Sequence, residues 1–98
     1  MSPKTSKSTS NELISIQIIS ESGEQSFNAL WIEISSPNGF FSVGRGHIPT
    51  ISLLKVGGIL TYSKTEGTLE TLAVPGGLAI IQNDLVKLVL YKPISNYS

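Results

Sequence analysis

Cysteine is absent, which excludes a disulfide framework and a thiolate metal site together. A chain without cysteine fits a reducing compartment. Arginine occurs once, at Arg45, and the lysines are scattered. Seven basic and seven acidic residues cancel to zero net charge. Nucleic-acid binding calls for a basic face, and none can be assembled from these positions. Histidine also occurs once, at His47. No apolar run approaches the ~20 residues of a membrane-spanning helix. The first residues lack the apolar core of a secretory signal. An apolar period of about 3.6 is not sustained over the roughly ten residues a helix needs, so helices are not expected.

What remains is a chain rich in apolar residues (40%) and poor in charge (14%), which argues against disorder over most of its length. Its 98 residues allow one domain. Such a chain buries roughly 60–65% of its extended surface, enough for one modest core. Residues 1–11 form a Ser/Thr/Lys tail whose only charges are Lys4 and Lys7, and the tail is expected to be disordered. Residues 12–92 are read as one β-sandwich domain, and a short tail, 93–98, begins at Pro93.

Within the domain, short extended segments recur with turn residues between them. Leu13 to Ile19 alternates, with Ile14, Ile16 and Ile18 on one face. A polar turn, Glu21 to Glu24, follows. Phe27 to Ile34 reads as one strand. Asn38-Gly39 is a strong hairpin signal, because both central residues of a type I′ turn need positive φ. Further strands are expected over 40–43, 50–55, 59–63, 68–74, 78–81 and 85–90. The turns between them fall at Gly57-Gly58, Glu66-Gly67, Pro75-Gly76-Gly77 and Gln82-Asn83-Asp84. The pattern is all-β: a two-sheet sandwich or flattened barrel of short antiparallel strands.

The rest is organised around Gly39 to Pro49. This stretch holds three of the nine glycines, two of the three phenylalanines, the single arginine and the single histidine. Glycine supplies unusual φ and proline fixes it, so the stretch reads as a shaped strand-loop-strand corner. As a general base His47 would need an orienting carboxylate and a nucleophile, and the sequence has no G-x-S-x-G elbow. A metal site needs three or four ligands. His47 is therefore read as a loop-ordering or interface residue. Gly44-Arg45-Gly46 is not a phosphate cradle, because no helix follows it. Glu66 and Glu70 share a hairpin, but nothing sets them in a cleft as paired acids. Phe40 and Phe41 point to opposite faces of a strand. One can enter the core; the other is either an interface anchor or buried on a second face.

These residues resemble a family. Asn38-Gly39-x-Phe41-x-Val43-x-x-Gly46-His47-x-Pro49 is similar to the D-G-x-x-G-I-L-P-x-H-A-P signature of the ε subunit of F-type ATP synthases. Leu54-Lys55-x-Gly57-x-Ile59 and Val74-x-Gly76-Gly77-x-x-x-Ile81-x-x-Asp84-x-Val86 resemble two later segments of that family, in the same order. Arg45 and Val56 stand where the family has proline, Ser42 where it has glycine, and Phe40 where it often has glutamate. The family's helical hairpin would begin after about Leu90, so neither inhibition of hydrolysis nor ATP binding is expected of these residues.

The resemblance implies a non-catalytic rotor subunit without cofactor or metal, linking the γ subunit to the c-ring. On this reading His47, Ile48 and Ser52 face γ, and Phe40, Phe41, Arg45 and Gly46 face the c-ring. The subunit would be peripheral, at the cytoplasmic face of the inner (plasma) membrane, with membrane contact only through the complex. The alternative is a small ligand- or carbohydrate-binding β-sandwich module, which needs a concave aromatic platform around Trp31 and Tyr62. A weak enzyme built on His47 is the third reading.

Overall fold

The computed structural model describes residues 13–92, and the expected tails at 1–11 and 93–98 lie outside the described residues. Nine strands are present among those residues, and no helix. They are β1 (Ile14–Ser20), β2 (Gly23–Ala29), β3 (Trp31–Ser36), β4 (Gly39–Val43), β5 (Thr50–Leu54), β6 (Ile59–Ser63), β7 (Leu69–Ala73), β8 (Gly77–Gln82) and β9 (Leu85–Leu90). A five-stranded sheet runs β2-β1-β9-β8-β5 and a four-stranded sheet runs β4-β3-β6-β7. Every pairing is antiparallel except β1 with β9, which is parallel.

Period-two alternation sets this arrangement. Ile14, Ile16 and Ile18 of β1, Ile32 and Ile34 of β3, Leu60 of β6, Ala79 and Ile81 of β8, and Val86 and Leu88 of β9 all turn inward and are buried. Two facing sheets removing such side chains from water gain about 1.5–3 kcal/mol for each large one. The fully buried core is aliphatic; Phe27, Phe41 and Tyr62 pack at its margins. Branched aliphatic side chains have few rotamers, so this core is stiff.

Two expectations are corrected. Phe27 to Ile34 is not one strand: β2 ends at Ala29 in the first sheet and β3 begins at Trp31 in the second. Leu30 is the crossing point, its N–H donating to the Ser63 carbonyl at 2.9 Å. The Asn38-Gly39 pair does not form a type I′ turn. The two-residue loop is Pro37-Asn38, because Ser36 pairs with Gly39. Proline cannot take positive φ, and Asn38 does not either; only Gly39, the first residue of β4, does, at 131°. The true two-residue turn with both φ positive is Asn83 (55°) and Asp84 (62°), between β8 and β9.

The sandwich has two ends. One gathers the start of β1, the Leu30 crossing, the 44–49 loop, the 64–68 hairpin and the Asn83-Asp84 turn. The other gathers the turns at 21–22, 37–38, 55–58 and 74–76, with Tyr91, whose N–H donates to the Gly76 carbonyl at 3.2 Å.

Candidate interaction site

The glycine corner lies between Val43, the last residue of β4, and Thr50, the first of β5. It carries the chain from the four-stranded sheet back to the five-stranded one. Gly46 sits at φ 82°, where an added Cβ would meet open space, so its role is conformational rather than steric. The loop is closed locally by the His47 N–H donating to the Gly44 carbonyl at 3.3 Å. It is held from outside by Asp84. One carboxylate oxygen accepts the Gly46 N–H at 2.8 Å, and the other meets Arg45 Nη1 at 3.1 Å. The ion pair is half exposed and contributes at most about 1 kcal/mol. The backbone N–H to carboxylate bond, being charge-assisted, is the stronger tie.

His47 is half buried, its ring 6.2 Å from that of Phe41 and tilted by 34°. Its Nδ1 lies 2.8 Å from the Ile48 carbonyl, which can only accept, so Nδ1 carries the proton. The partner that orients the ring is thus a carbonyl and not a carboxylate. Asp84, the acid that reaches into this loop, is occupied by Arg45 and Gly46. No group of three or more His, Asp or Glu side chains able to hold a metal ion occurs among the described residues. Lys64 stands by both Glu66 and Glu70, at 4.0 and 3.7 Å, on an exposed hairpin.

The two phenylalanines part as alternation requires. Phe41 packs against the core from the inner face, while Phe40 is 69% exposed. Phe40 pairs with Ser35 near the 37–38 turn, at the end away from the corner. Four residues separate it from Arg45, and β4 ends between them at Val43. Arg45, Gly46, His47 and Ile48 thus share the corner, where the Phe41 ring reaches His47 from the inner face of β4, whereas Phe40, its neighbour in the chain, projects from the opposite face and nearer the 37–38 turn. Ser52 is half buried and pairs with the buried Ala79, so it faces inward, its hydroxyl donating to the Leu53 carbonyl at 3.1 Å.

The residues flanking Ser52 form a surface that the alternation pattern of β5 alone did not reveal. Ile51 (70% exposed) pairs with Ile80, and Leu53 (57% exposed) pairs with Leu78. Leu78 in turn pairs with Val89, and Val89 with Ile19. These six aliphatic side chains cover the outer face of one half of the five-stranded sheet. Ile48, 73% exposed, lies in the corner two residues before β5 begins. The outer face of the four-stranded sheet is more polar, with Glu33, Ser42, Thr61 and Thr71 in register across it. Tyr62 belongs to the inner face, opposite Ile32, whereas Trp31 is one residue out of phase and faces outward. The two rings lie on opposite faces of their sheet and make no platform.

The described residues thus form a two-sheet sandwich with an apolar half-face, a corner held by Asp84 and an outward phenylalanine. The chain belongs to the ATP synthase delta/epsilon chain β-sandwich domain family, whose model matches residues 13–92. Comparison with curated proteins gave no match. Among solved structures it is similar to a chain of the Euglena gracilis mitochondrial ATP synthase (OSCP/F1/c-ring), with a TM-score of 0.73 and 23% identity over 81% of this chain and 51% of that one. It is also similar to a chain of the central stalk/c-ring of the Tetrahymena thermophila mitochondrial ATP synthase, with a TM-score of 0.65 and 12% identity over 78% of this chain and 61% of that one. The chain thus spans between half and about three-fifths of the length of these neighbours, and at such identities the likeness is one of fold.

Proposed function

We propose that this chain is the β-sandwich module of a non-catalytic rotor subunit of an F-type ATP synthase, joining the γ subunit to the c-ring and so coupling ion translocation to ATP synthesis. The observation that carries the reading is the family match over 13–92, which coincides with the whole two-sheet body. A part that passes torque has to resist deformation, and the aliphatic two-sheet core supports that role without any reacting group. Nothing in the arrangement of Trp31 and Tyr62 favours a carbohydrate site.

On this reading γ takes the corner and the apolar sheet face, through His47, Ile48, Ile51 and Leu53, with Ser52 shaping the edge from beneath. Phe40, on the opposite face of β4 from Phe41, is the contact for the c-ring. Exposed Arg45 and Gly46 complete the c-ring side of the corner in this proposal. Phe41 supports His47 from below. The subunit would be peripheral, at the cytoplasmic face of the inner (plasma) membrane, touching the membrane only through the complex. The test is co-purification with the γ subunit under native conditions. The chain is expected to travel with γ; a chain that stays monomeric beside γ at micromolar concentration ends the reading.

A further inference from the structure

We infer that Asp84 is a positioning residue for partner docking: its carboxylate, on the turn between β8 and β9, latches the glycine corner and sets the presentation of His47 and Ile48. This rests on the rotor-subunit reading for the identity of the partner, though not for the latch itself.

The backbone states the problem. Asp84 occupies the second position of a type I′ turn, with φ 62°. Glycine is preferred there, and Asn-Gly is the favoured pair for such turns. A non-glycine residue bears a steric cost in that region, so turn formation alone does not call for an aspartate. The side chain does. It reaches 38 residues back along the chain to accept the Gly46 N–H at 2.8 Å. Its second oxygen holds Arg45 at 3.1 Å. The same residue's carbonyl accepts the Ser15 N–H at 2.9 Å, which ties the turn to the start of β1.

Around Gly46 the corner has little else to fix it. Arg45 and Gly46 are exposed; the other bonds of the loop run from the His47 N–H to the Gly44 carbonyl at 3.3 Å and from His47 Nδ1 and Thr50 Oγ1 to the Ile48 carbonyl at 2.8 and 2.9 Å, and none of them touches Gly46. Gly46 is also in a conformation that a flexible loop would readily leave. With the latch closed, Ile48 is held out from the corner beside the aliphatic face of the sheet. With it open, the chain from Gly44 to Pro49 samples many shapes, and a partner must order them on binding, which weakens affinity.

The experiment uses the full chain, with amide hydrogen exchange at Gly46 followed by NMR and with titration against the γ subunit. Asp84→Gly keeps the turn, since Asn83 followed by glycine is the preferred pair, and removes only the carboxylate. It is expected to speed Gly46 exchange at least about 10-fold and to weaken γ binding about 10-fold, the size of one lost charge-assisted bond. The melting midpoint should stay at or above that of the native chain. Asp84→Asn still offers Oδ1 to Gly46 and tolerates the left-handed backbone, so exchange and affinity should return to within about 3-fold of native. Unchanged Gly46 exchange in Asp84→Gly overturns the latch. Freed Gly46 with unchanged γ affinity overturns its role in docking. A lowered midpoint in Asp84→Gly makes Asp84 a fold residue and overturns the inference too. Failure of the native chain to bind γ removes the rotor reading and the docking role with it, while the exchange arm still decides whether the latch exists.

Discussion

Phe27 of β2 and Tyr62 of β6 stand with ring centroids 4.7 Å apart and planes tilted by 38°. One belongs to the edge strand of the five-stranded sheet, the other to an inner strand of the four-stranded sheet. The pair therefore joins the two layers where the aliphatic core gives way to solvent.

The rings are expected to be coupled. Truncating half-buried Phe27 to alanine should cost about 2 kcal/mol, less than a fully buried phenylalanine would. Tyr62→Leu should cost about 1 kcal/mol, and the double variant should show an interaction of about 0.5–1.5 kcal/mol. Urea denaturation of the four chains of the cycle measures this. Purely additive losses would mean that the rings fill space without bridging the layers.

Gly77 carries a sharper prediction. It opens β8 at φ 140°, and an added Cβ would lie 2.0 Å from the Val89 carbonyl oxygen. Because that neighbour is backbone of the paired strand, nothing flexible can move aside. Gly77→Ala should cost at least about 2–3 kcal/mol, combining backbone strain with a forced shift of β9. Thermal melting is the readout. A midpoint within a degree or two of native would show that β8 and β9 can separate at this point.

The two proposed contact surfaces should be separable by substitution. Ile51→Lys with Leu53→Lys alters side chains that are more than half exposed, so stability should hold within about 0.5 kcal/mol per site. Affinity for γ, measured by calorimetry, should nevertheless fall at least about 10-fold, because two charges would face an apolar contact. Phe40→Ala should leave stability and γ affinity unchanged while lowering ATP-driven ion pumping by the assembled complex. Loss of γ binding in Phe40→Ala would mean that the two surfaces are not functionally distinct.

Strand positions were readable because β1, β6, β8 and β9 are bounded by glycine, proline or polar turns, β1 with clean alternation and β8 and β9 as short apolar runs. The break at Leu30 was not. Phe27 to Ile34 runs without glycine or proline, and the alternation Leu30-Ile32-Ile34 hides a slip of phase: Ala29 and Ile32 are both buried, so the inward register shifts by one residue where the chain changes sheets. A local pattern records which way side chains face, and both inner faces look toward the same core. The Asn38-Gly39 signal misled for a related reason: Pro37 shifts the loop back by one residue, so the glycine opens β4 instead of closing the turn. Within the candidate site, the split between Phe40 and Phe41 followed from alternation alone. The hold of Asp84 on Gly46 could not be anticipated, because it spans 38 residues and depends on where the corner between the sheets meets the β8–β9 turn.

The parallel pairing of β1 with β9 bears on how this chain acquires its shape during synthesis. The second strand-mate of β1 is the last strand to be made, so until Leu90 has cleared the ribosome the β1–β2 ribbon has one flank of unsatisfied amides and carbonyls. Native closure must then await the end of translation of this domain, and nascent-chain protection is expected to arrive in one late step.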